Sequence, residues 1–235
     1  MQLPSGESYS ALDLQILRRM SECGFVRYSE KPFRLKSGID SHVYVFGRED
    51  LTDNPDLEWI IGERIVLEVS EGSIEGDKRP CLIGIPTAGT ALAQAAAMVS
   101  WDMSRVCVPP AFPVIAHRIM REGKKEHGVH HKWVNGDPSP EHTYWAVDNV
   151  VTDGASKFEA AEKLAESGYE SFEMPQIVLV DRQQGGIKKM EEGGFKRVHV
   201  IYRLLDISFA LGEFRLWPKE VVSRVEEEIR AHQFA

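Results

Sequence analysis

Apolar and polar positions along this chain follow two different periods, and the switches between them outline its elements. From Ser10 to Cys23 the apolar residues recur at helical spacing, which predicts an amphipathic helix. Phe33 and Leu35 then alternate with polar neighbours, Ser37-Gly38 supplies turn chemistry, and Val43 to Phe46 returns as a strand, so a hairpin follows. Helical spacing resumes from Asp56 to Ser70. A short apolar run from Cys81 ends in Gly84-Ile85-Pro86 and leads into an alanine-rich helix, after which a strand precedes a polar stretch from about Arg118 to His142 with little periodicity. A strand over Tyr144 to Val151, a helix over Lys157 to Gly168, a strand over Ile177 to Asp181, a helix, a strand over Arg197 to Tyr202 and two closing helices complete the order. The last helix, Lys219 to Gln233, carries Val221, Val222, Val225 and Ile229 as one stripe and is expected to pack on its own domain. Alternation of strands and helices predicts an α/β fold, a mostly parallel sheet with helices on both faces. The expected organisation is one domain over residues 1–235, with a small hairpin at 33–48, a mobile loop at 118–142 and a C-terminal helix at 218–233.

Composition narrows the class. A chain of 235 residues that is 43% hydrophobic has enough apolar surface for one sizeable core. No stretch approaches the roughly 18 apolar residues of a membrane span, and Met1-Gln-Leu-Pro-Ser-Gly6 lacks a signal-peptide layout, so a soluble cytoplasmic protein is expected. Cys23, Cys81 and Cys107 are odd in number and widely spaced, and they read as reduced thiols. A formal charge of −8 argues against general nucleic-acid binding, while the basic clusters at Arg121 to Lys125 and Lys188-Lys189 suit small anions. His117, His127, His130, His131 and His142 lack the paired helical geometry of a metal site, so no metal held directly by the protein is expected.

Candidate chemistry concentrates in Thr143 to Ser156. An apolar strand there ends in Asp148-Asn149 and enters Thr152-Asp153-Gly154-Ala155-Ser156 before a helix begins. Backbone N–H groups and the positive end of the helix dipole form an anion site at such a turn, and Asp148 and Asn149 are placed to accept hydrogen bonds from a vicinal diol. A glycine-containing turn of this kind is otherwise only a turn. The segment resembles the signature of type I phosphoribosyltransferases, in which two acidic residues and a T-x-G loop follow a hydrophobic strand. Further segments are similar to those of one branch, the orotate phosphoribosyltransferases: Phe33-Arg-Leu-Lys36-Ser37-Gly38-Ile-Asp-Ser41-His-Val-Tyr44 with Arg48 after it, Gly84-Ile-Pro86-Thr87-Ala88-Gly89-Thr90, Arg121-Glu122-Gly123-Lys124-Lys125-Glu126-His127-Gly128, and Asp181-Arg182-Gln183-Gln184-Gly185-Gly186.

The resemblance implies transfer of phosphoribosyl from 5-phosphoribosyl diphosphate to orotate, with Mg2+ arriving on the diphosphate. It assigns Asp148 and Asn149 to the ribose hydroxyls, and Thr152, Asp153, Gly154, Ala155 and Ser156 to the 5-phosphate. Thr87, Ala88 and Gly89 would receive pyrophosphate, although tight helix–strand packing explains the same small residues equally well. Arg121, Lys124, Lys125 and His127 would grip the departing pyrophosphate from a lid that closes over a neighbouring subunit, which implies a homodimer. Lys36, Tyr44, Thr152 and Arg182 would meet the base, Arg182 as a bidentate fork on the pyrimidine carboxylate. Asn149 stands for the second acidic residue, Glu122 stands where a basic residue is common, and His42 and Phe46 depart from the hairpin pattern. These departures raise two alternatives: a nucleotide-binding or regulatory module with little catalysis, and a transferase for another nucleobase. Retention of Arg121, Lys125, His127 and Arg182 favours the enzyme.

Overall fold

The computed structural model describes residues 1–35, 38–45, 49–72, 78–106, 112–123 and 133–232. Helix α1, Ala11–Glu22, opens on a reciprocal cap: the Ser10 hydroxyl accepts from the Asp13 amide, and the Asp13 carboxylate accepts from the Ser10 amide at 2.8 Å. Strands β1, Val26–Arg34, and β2, Asp40–Val45, pair antiparallel with a register shift between Tyr28 and Phe33. The hairpin therefore begins earlier than the alternation after Phe33 predicts. A short helix α2, Glu49–Thr52, which the periodicity does not reveal, precedes α3, Pro55–Gly72.

The chain then alternates β3 (Arg79–Gly84), α4 (Ala88–Val106), β4 (Ala116–Ile119), β5 (His142–Val151), α5 (Ala155–Glu166), β6 (Gln176–Asp181), α6 (Gly186–Glu192) and β7 (Val198–Arg203), closing with α7 (Leu204–Glu213) and α8 (Lys219–His232). All neighbours in the second sheet are parallel, in the order β4-β3-β5-β6-β7. Strand β6 is buried along its whole length, as expected when helices cover both faces of a parallel sheet. The order reverses direction at β3, and open sheets of this kind bind ligands beyond the carboxyl ends of the strands at that switch point.

One apolar core joins the two sheets. Val26, Val43 and Val45 of the hairpin pack in the same cluster as Ile16, Leu17 and Met20 of α1, Ile61 and Ile65 of α3, and Val225 and Ile229 of α8. The Val225 and Ile229 positions of the C-terminal stripe are thus buried in its own domain. At the amino end of the sheet's outer face, Arg64 reaches Asp13 at 3.1 Å and Glu68 at 2.9 Å, and Glu68 meets the His199 ring at 3.0 Å. The His199 hydrogen bond, reinforced by Arg64, holds the Glu68 carboxyl below its ordinary value of 4.5 against the opposing effect of burial. A depressed folded value contributes stability that is fully present above 4.5 and lost as pH falls through it. Glu68→Gln is therefore expected to flatten the acid side of a stability-against-pH curve measured by urea denaturation; an unchanged acid slope would remove the cluster from that role.

Candidate active site

Three backbone segments meet beyond the carboxyl ends of β3 and β5. Glycines set their spacing: a side chain at Gly84 would lie 2.3 Å from the Gly89 carbonyl, and one at Gly89 would lie 2.2 Å from the Val147 carbonyl. The first turn of α4 is thereby pressed against the two adjoining strands. Gly89 serves the packing, whereas Thr87 and Ala88 line a cleft of about 520 Å³ together with Arg121, Glu122, Asp148, Asn149, Val150, Thr152, Asp153, Ala155 and Ser156. A second cleft of about 510 Å³ adjoins it, sharing Pro86, Thr87, Ala88, Met120 and Glu122 and extending toward Glu49, Thr52 and Gln94.

The loop after β5 turns through Gly154, whose φ of +81° places it in the left-handed region where glycine is favoured. No side chain caps α5 at Gly154, so its first turn opens on the cleft, as an anion site requires. One of its amides is already engaged: Ala155 N donates to Asp153 Oδ1 at 3.2 Å. Asp153 therefore occupies part of the position that a phosphate would take. On the other side of the loop, a Cβ at Gly186 would lie 2.5 Å from the Thr152 carbonyl, so α6 braces the turn from behind.

Lys157 is the functional residue that the sequence pattern did not reveal, because a lysine at the start of a helix ordinarily points to solvent. Here it is 2% exposed, and its ammonium donates to Asp148 Oδ2 at 2.6 Å, to the Val150 carbonyl at 2.6 Å and to Ser156 Oγ at 3.2 Å. Those acceptors match the three donors of an ammonium. The other Asp148 oxygen accepts from the Asn149 amide at 2.8 Å. The carboxylate that lines the cleft is thus fixed in orientation by a buried ion pair and a backbone donor. Around the cleft, Asp148 is neutralised by Lys157 and Glu159 by Lys163, each at 2.6 Å.

The neck of the polar loop is ordered by backbone pairing. Met120 bridges Val134, Arg121 N donates to the Trp133 carbonyl at 2.8 Å, and Asn135 N donates to the Ile119 carbonyl at 3.1 Å. Trp133 in turn donates its indole N–H to Glu166 at 2.8 Å, while the Lys163 ammonium lies 4.8 Å from its ring centre. Glu122, just past the neck, accepts a 2.6 Å hydrogen bond from the Thr87 hydroxyl and so ties this end of the neck to the turn after β3. Lys124, Lys125 and His127, like Lys36, Ser37, Phe46 and Arg48, lie outside the described residues, as do His130, His131 and Cys107. Of the remaining histidines, His117 sits on β4 and His142 begins β5. Among the described residues no group of three His, Cys, Asp or Glu could hold a metal ion.

Arg182 is placed differently from the bidentate fork expected of it. Its amide donates to the Val151 carbonyl at 3.0 Å, next to Thr152, but its side chain turns toward the hairpin and is 2% exposed. Both protons of Nη2 are taken, by Ser41 Oγ at 2.7 Å and the Val43 carbonyl at 2.8 Å, whereas Nε is buried without a partner among the described residues. With Nη2 committed, neither face of the guanidinium presents a complete fork, and a ligand meets single donors. Burial pushes the group down to about 10, opposed by the charge of Glu228. Tyr44 is 37% exposed and stacks edge-on with Phe33 at 4.8 Å.

Substituting Lys157 by methionine keeps its bulk and strands the Asp148 carboxylate in a buried position. The expected loss is about 3–5 kcal/mol of unfolding free energy by chemical denaturation, partly restored by adding Asp148→Asn. A loss no larger than that of a surface lysine would show that the pair does not hold the loop.

The arrangement has counterparts among known proteins. No family model matches the chain. An orotate phosphoribosyltransferase of Nostoc sp. is 30% identical over 181 residues, 77% of this chain and 79% of the relative. That of Methanosarcina mazei is 26% identical over 197 residues, covering 84% of this chain and 92% of the relative. Bovine uridine 5'-monophosphate synthase is 28% identical over 202 residues, but the chain spans only 38% of that longer protein. Among solved structures, orotate phosphoribosyltransferase from Aeropyrum pernix superposes with a TM-score of 0.59 at 24% identity, covering 86% of this chain and 99% of that one. Leishmania donovani UMP synthase superposes at 0.70 and 20% identity, covering 94% of this chain and 42% of that one. The order β4-β3-β5-β6-β7, the cleft at its switch point and these likenesses together show that the chain has the type I phosphoribosyltransferase fold and belongs to the orotate phosphoribosyltransferase family.

Proposed function

We propose that this chain transfers phosphoribosyl from 5-phosphoribosyl 1-diphosphate to orotate, giving orotidine 5'-phosphate and pyrophosphate, in pyrimidine biosynthesis. The observation that carries the proposal is the cleft at the switch point, where an anion-binding turn, an oriented carboxylate and the Thr87-Ala88 turn face one space. In the reaction the bond from the anomeric carbon to the diphosphate oxygen breaks, and a bond to the pyrimidine N1 forms. The electron pair of the broken bond leaves with pyrophosphate, and the N1 proton is released. Positioning and charge stabilisation suffice, with no covalent intermediate on the enzyme.

Thr152, Gly154, Ala155 and Ser156 receive the 5-phosphate on the open turn of α5, once Asp153 yields the Ala155 amide. Asp148, aligned by Lys157, and Asn149 orient the ribose hydroxyls. Thr87 and Ala88 receive the diphosphate. Arg121, with Lys124, Lys125 and His127 of the loop, neutralises the charge that accumulates on it. Lys36, Tyr44 and Arg182 meet the base. Magnesium fits this donor set as a passenger on the diphosphate: Asp148 and Asn149 would hold it through its waters, and it would supply charge neutralisation to the leaving group. The lid reading carries a homodimer with it, and Met98 and Trp101, one turn apart on α4 and 56% and 58% exposed, suit burial against a second copy. A cytoplasmic location belongs to the same proposal, consistent with the absence of a membrane-spanning helix among the described residues.

Orotate absorbance followed with phosphoribosyl diphosphate and magnesium tests this reading. Turnover is expected in the wild type, with a loss of at least about a hundredfold in Lys125→Ala; phosphoribosyl diphosphate binding without turnover would favour a regulatory module, and turnover with another base a different specificity. A second outcome concerns Glu122, which holds the Thr87 hydroxyl and adds negative charge beside the diphosphate. Glu122→Gln is expected to lower KM for phosphoribosyl diphosphate by about threefold to tenfold with orotate KM unchanged, on the scale of one ordinary hydrogen bond. A higher KM would make Glu122 a ligand contact instead.

A further inference from the structure

The C-terminal helix reaches the hairpin through one carboxylate. Glu228 lies on α8, and its Oε1 accepts a very short hydrogen bond from the Ser41 hydroxyl, while its Oε2 accepts from the His42 amide at 2.9 Å. Ser41 is fully buried. Its oxygen also accepts from Arg182 Nη2 at 2.7 Å and from the Val43 amide at 3.1 Å. The single hydroxyl proton has two acceptors in reach, the Val43 carbonyl at 3.0 Å and Glu228. The charged acceptor wins, because charge-assisted hydrogen bonds are roughly twice as strong as neutral ones. With the proton on the Glu228 side, both Ser41 lone pairs face their donors, and the Arg182 guanidinium is held in one rotation. That rotation commits Nη2 to the protein and leaves Nε as the buried donor without a partner.

Other anchors keep α8 in register for this contact. Val225 and Ile229, on either side of Glu228, are buried in the shared core, and Arg224 reaches Glu30 at 2.8 Å and the Tyr28 hydroxyl at 3.1 Å on β1. Arg182 meanwhile joins the hairpin to the cleft, since its backbone abuts Val151, next to Thr152. A continuous path of hydrogen bonds therefore runs from α8 through Ser41 to the end of β6.

We propose that Glu228 is a positioning residue for base specificity, acting through Ser41 to orient the Arg182 guanidinium so that its uncommitted edge meets an acceptor of the pyrimidine. The proposal rests on the reading that Arg182 recognises the base. An anionic pyrimidine is the ligand class that this edge suits, because an unsatisfied donor on a buried cation gains most from a charged acceptor.

Steady-state kinetics on the full chain test it, with orotate and phosphoribosyl diphosphate varied separately in wild type, Glu228→Ala, Glu228→Gln, Ser41→Ala and Arg182→Met. Glu228→Ala and Ser41→Ala are expected to raise KM for orotate by about tenfold, as when one partner of a buried polar contact is removed, with KM for phosphoribosyl diphosphate within twofold. Glu228→Gln preserves shape and one accepting oxygen but not the charge, and it is expected to recover only part of the loss, leaving KM for orotate between those of wild type and Glu228→Ala. Equal increases in both KM values, or none, in a Glu228→Ala protein with wild-type circular dichroism overturn the inference. If Arg182→Met keeps the wild-type KM for orotate, the base assignment itself fails and takes the inference with it. If Arg182→Met loses orotate while Glu228→Ala does not, only the role of Glu228 fails.

Discussion

The site depends on how closely one helix approaches two strands. No side chain fits at Gly84 or Gly89 without striking backbone, so the first turn of α4 lies directly against the ends of β3 and β5. A bulkier residue at either place would have to push the helix about 1 Å from the sheet to relieve contacts of 2.3 and 2.2 Å, and would move Thr87 and Ala88 away from Asp148. Close-packed interiors transmit such a displacement rather than absorbing it. The cleft is thus a consequence of missing Cβ atoms at the sheet's switch point as much as of the polar groups that line it.

Charge is arranged around the cleft in pairs that are complete before any ligand arrives. Lys157 compensates Asp148 inside the protein, and Lys163 compensates Glu159 at the rim while its ammonium lies over Trp133. Burying an isolated carboxylate is expensive, so an oriented anion at the cleft wall requires a partner of this kind. Asn149 removes a second charge from the same place, and a neutral Asp148–Lys157 pair then makes the cleft less repellent to a diphosphate than two bare carboxylates would be. Glu122 and Asp153 act in the opposite sense, each occupying a donor that a phosphate group would use.

The hairpin, β6 and α8 form a second connected unit. Its apolar part is continuous with the main core, and its polar part is the chain of contacts from Glu228 through Ser41 to Arg182. The C-terminal helix, which by its stripe alone is an ordinary packing element, in this way reaches the end of β6 beside the Thr152 turn. The same contacts explain why Ser41, a small hydroxyl within a strand, is completely buried.

Much of the architecture was legible in the chain because its signals are local. Helical and strand periods predicted the order of the principal elements, and Asp148 to Ser156 announced the strand, turn and helix that border the cleft. Boundaries moved by a few residues, as for β1 and α5, where pairing and caps rather than apolar spacing decide the ends. The short helix α2 carried too few residues to show a period. What the sequence by itself determined was the α/β alternation and which residues sit on the turn after β5. Tertiary structure alone decided that Lys157 turns inward onto Asp148, that Gly89 serves packing while Thr87 and Ala88 face the cleft, and that Arg182 spends Nη2 on residues 139 and 141 positions earlier. The physical reason is common to all three: burial and hydrogen-bond partners belong to the space between elements, and no periodicity along one element records what is packed against it.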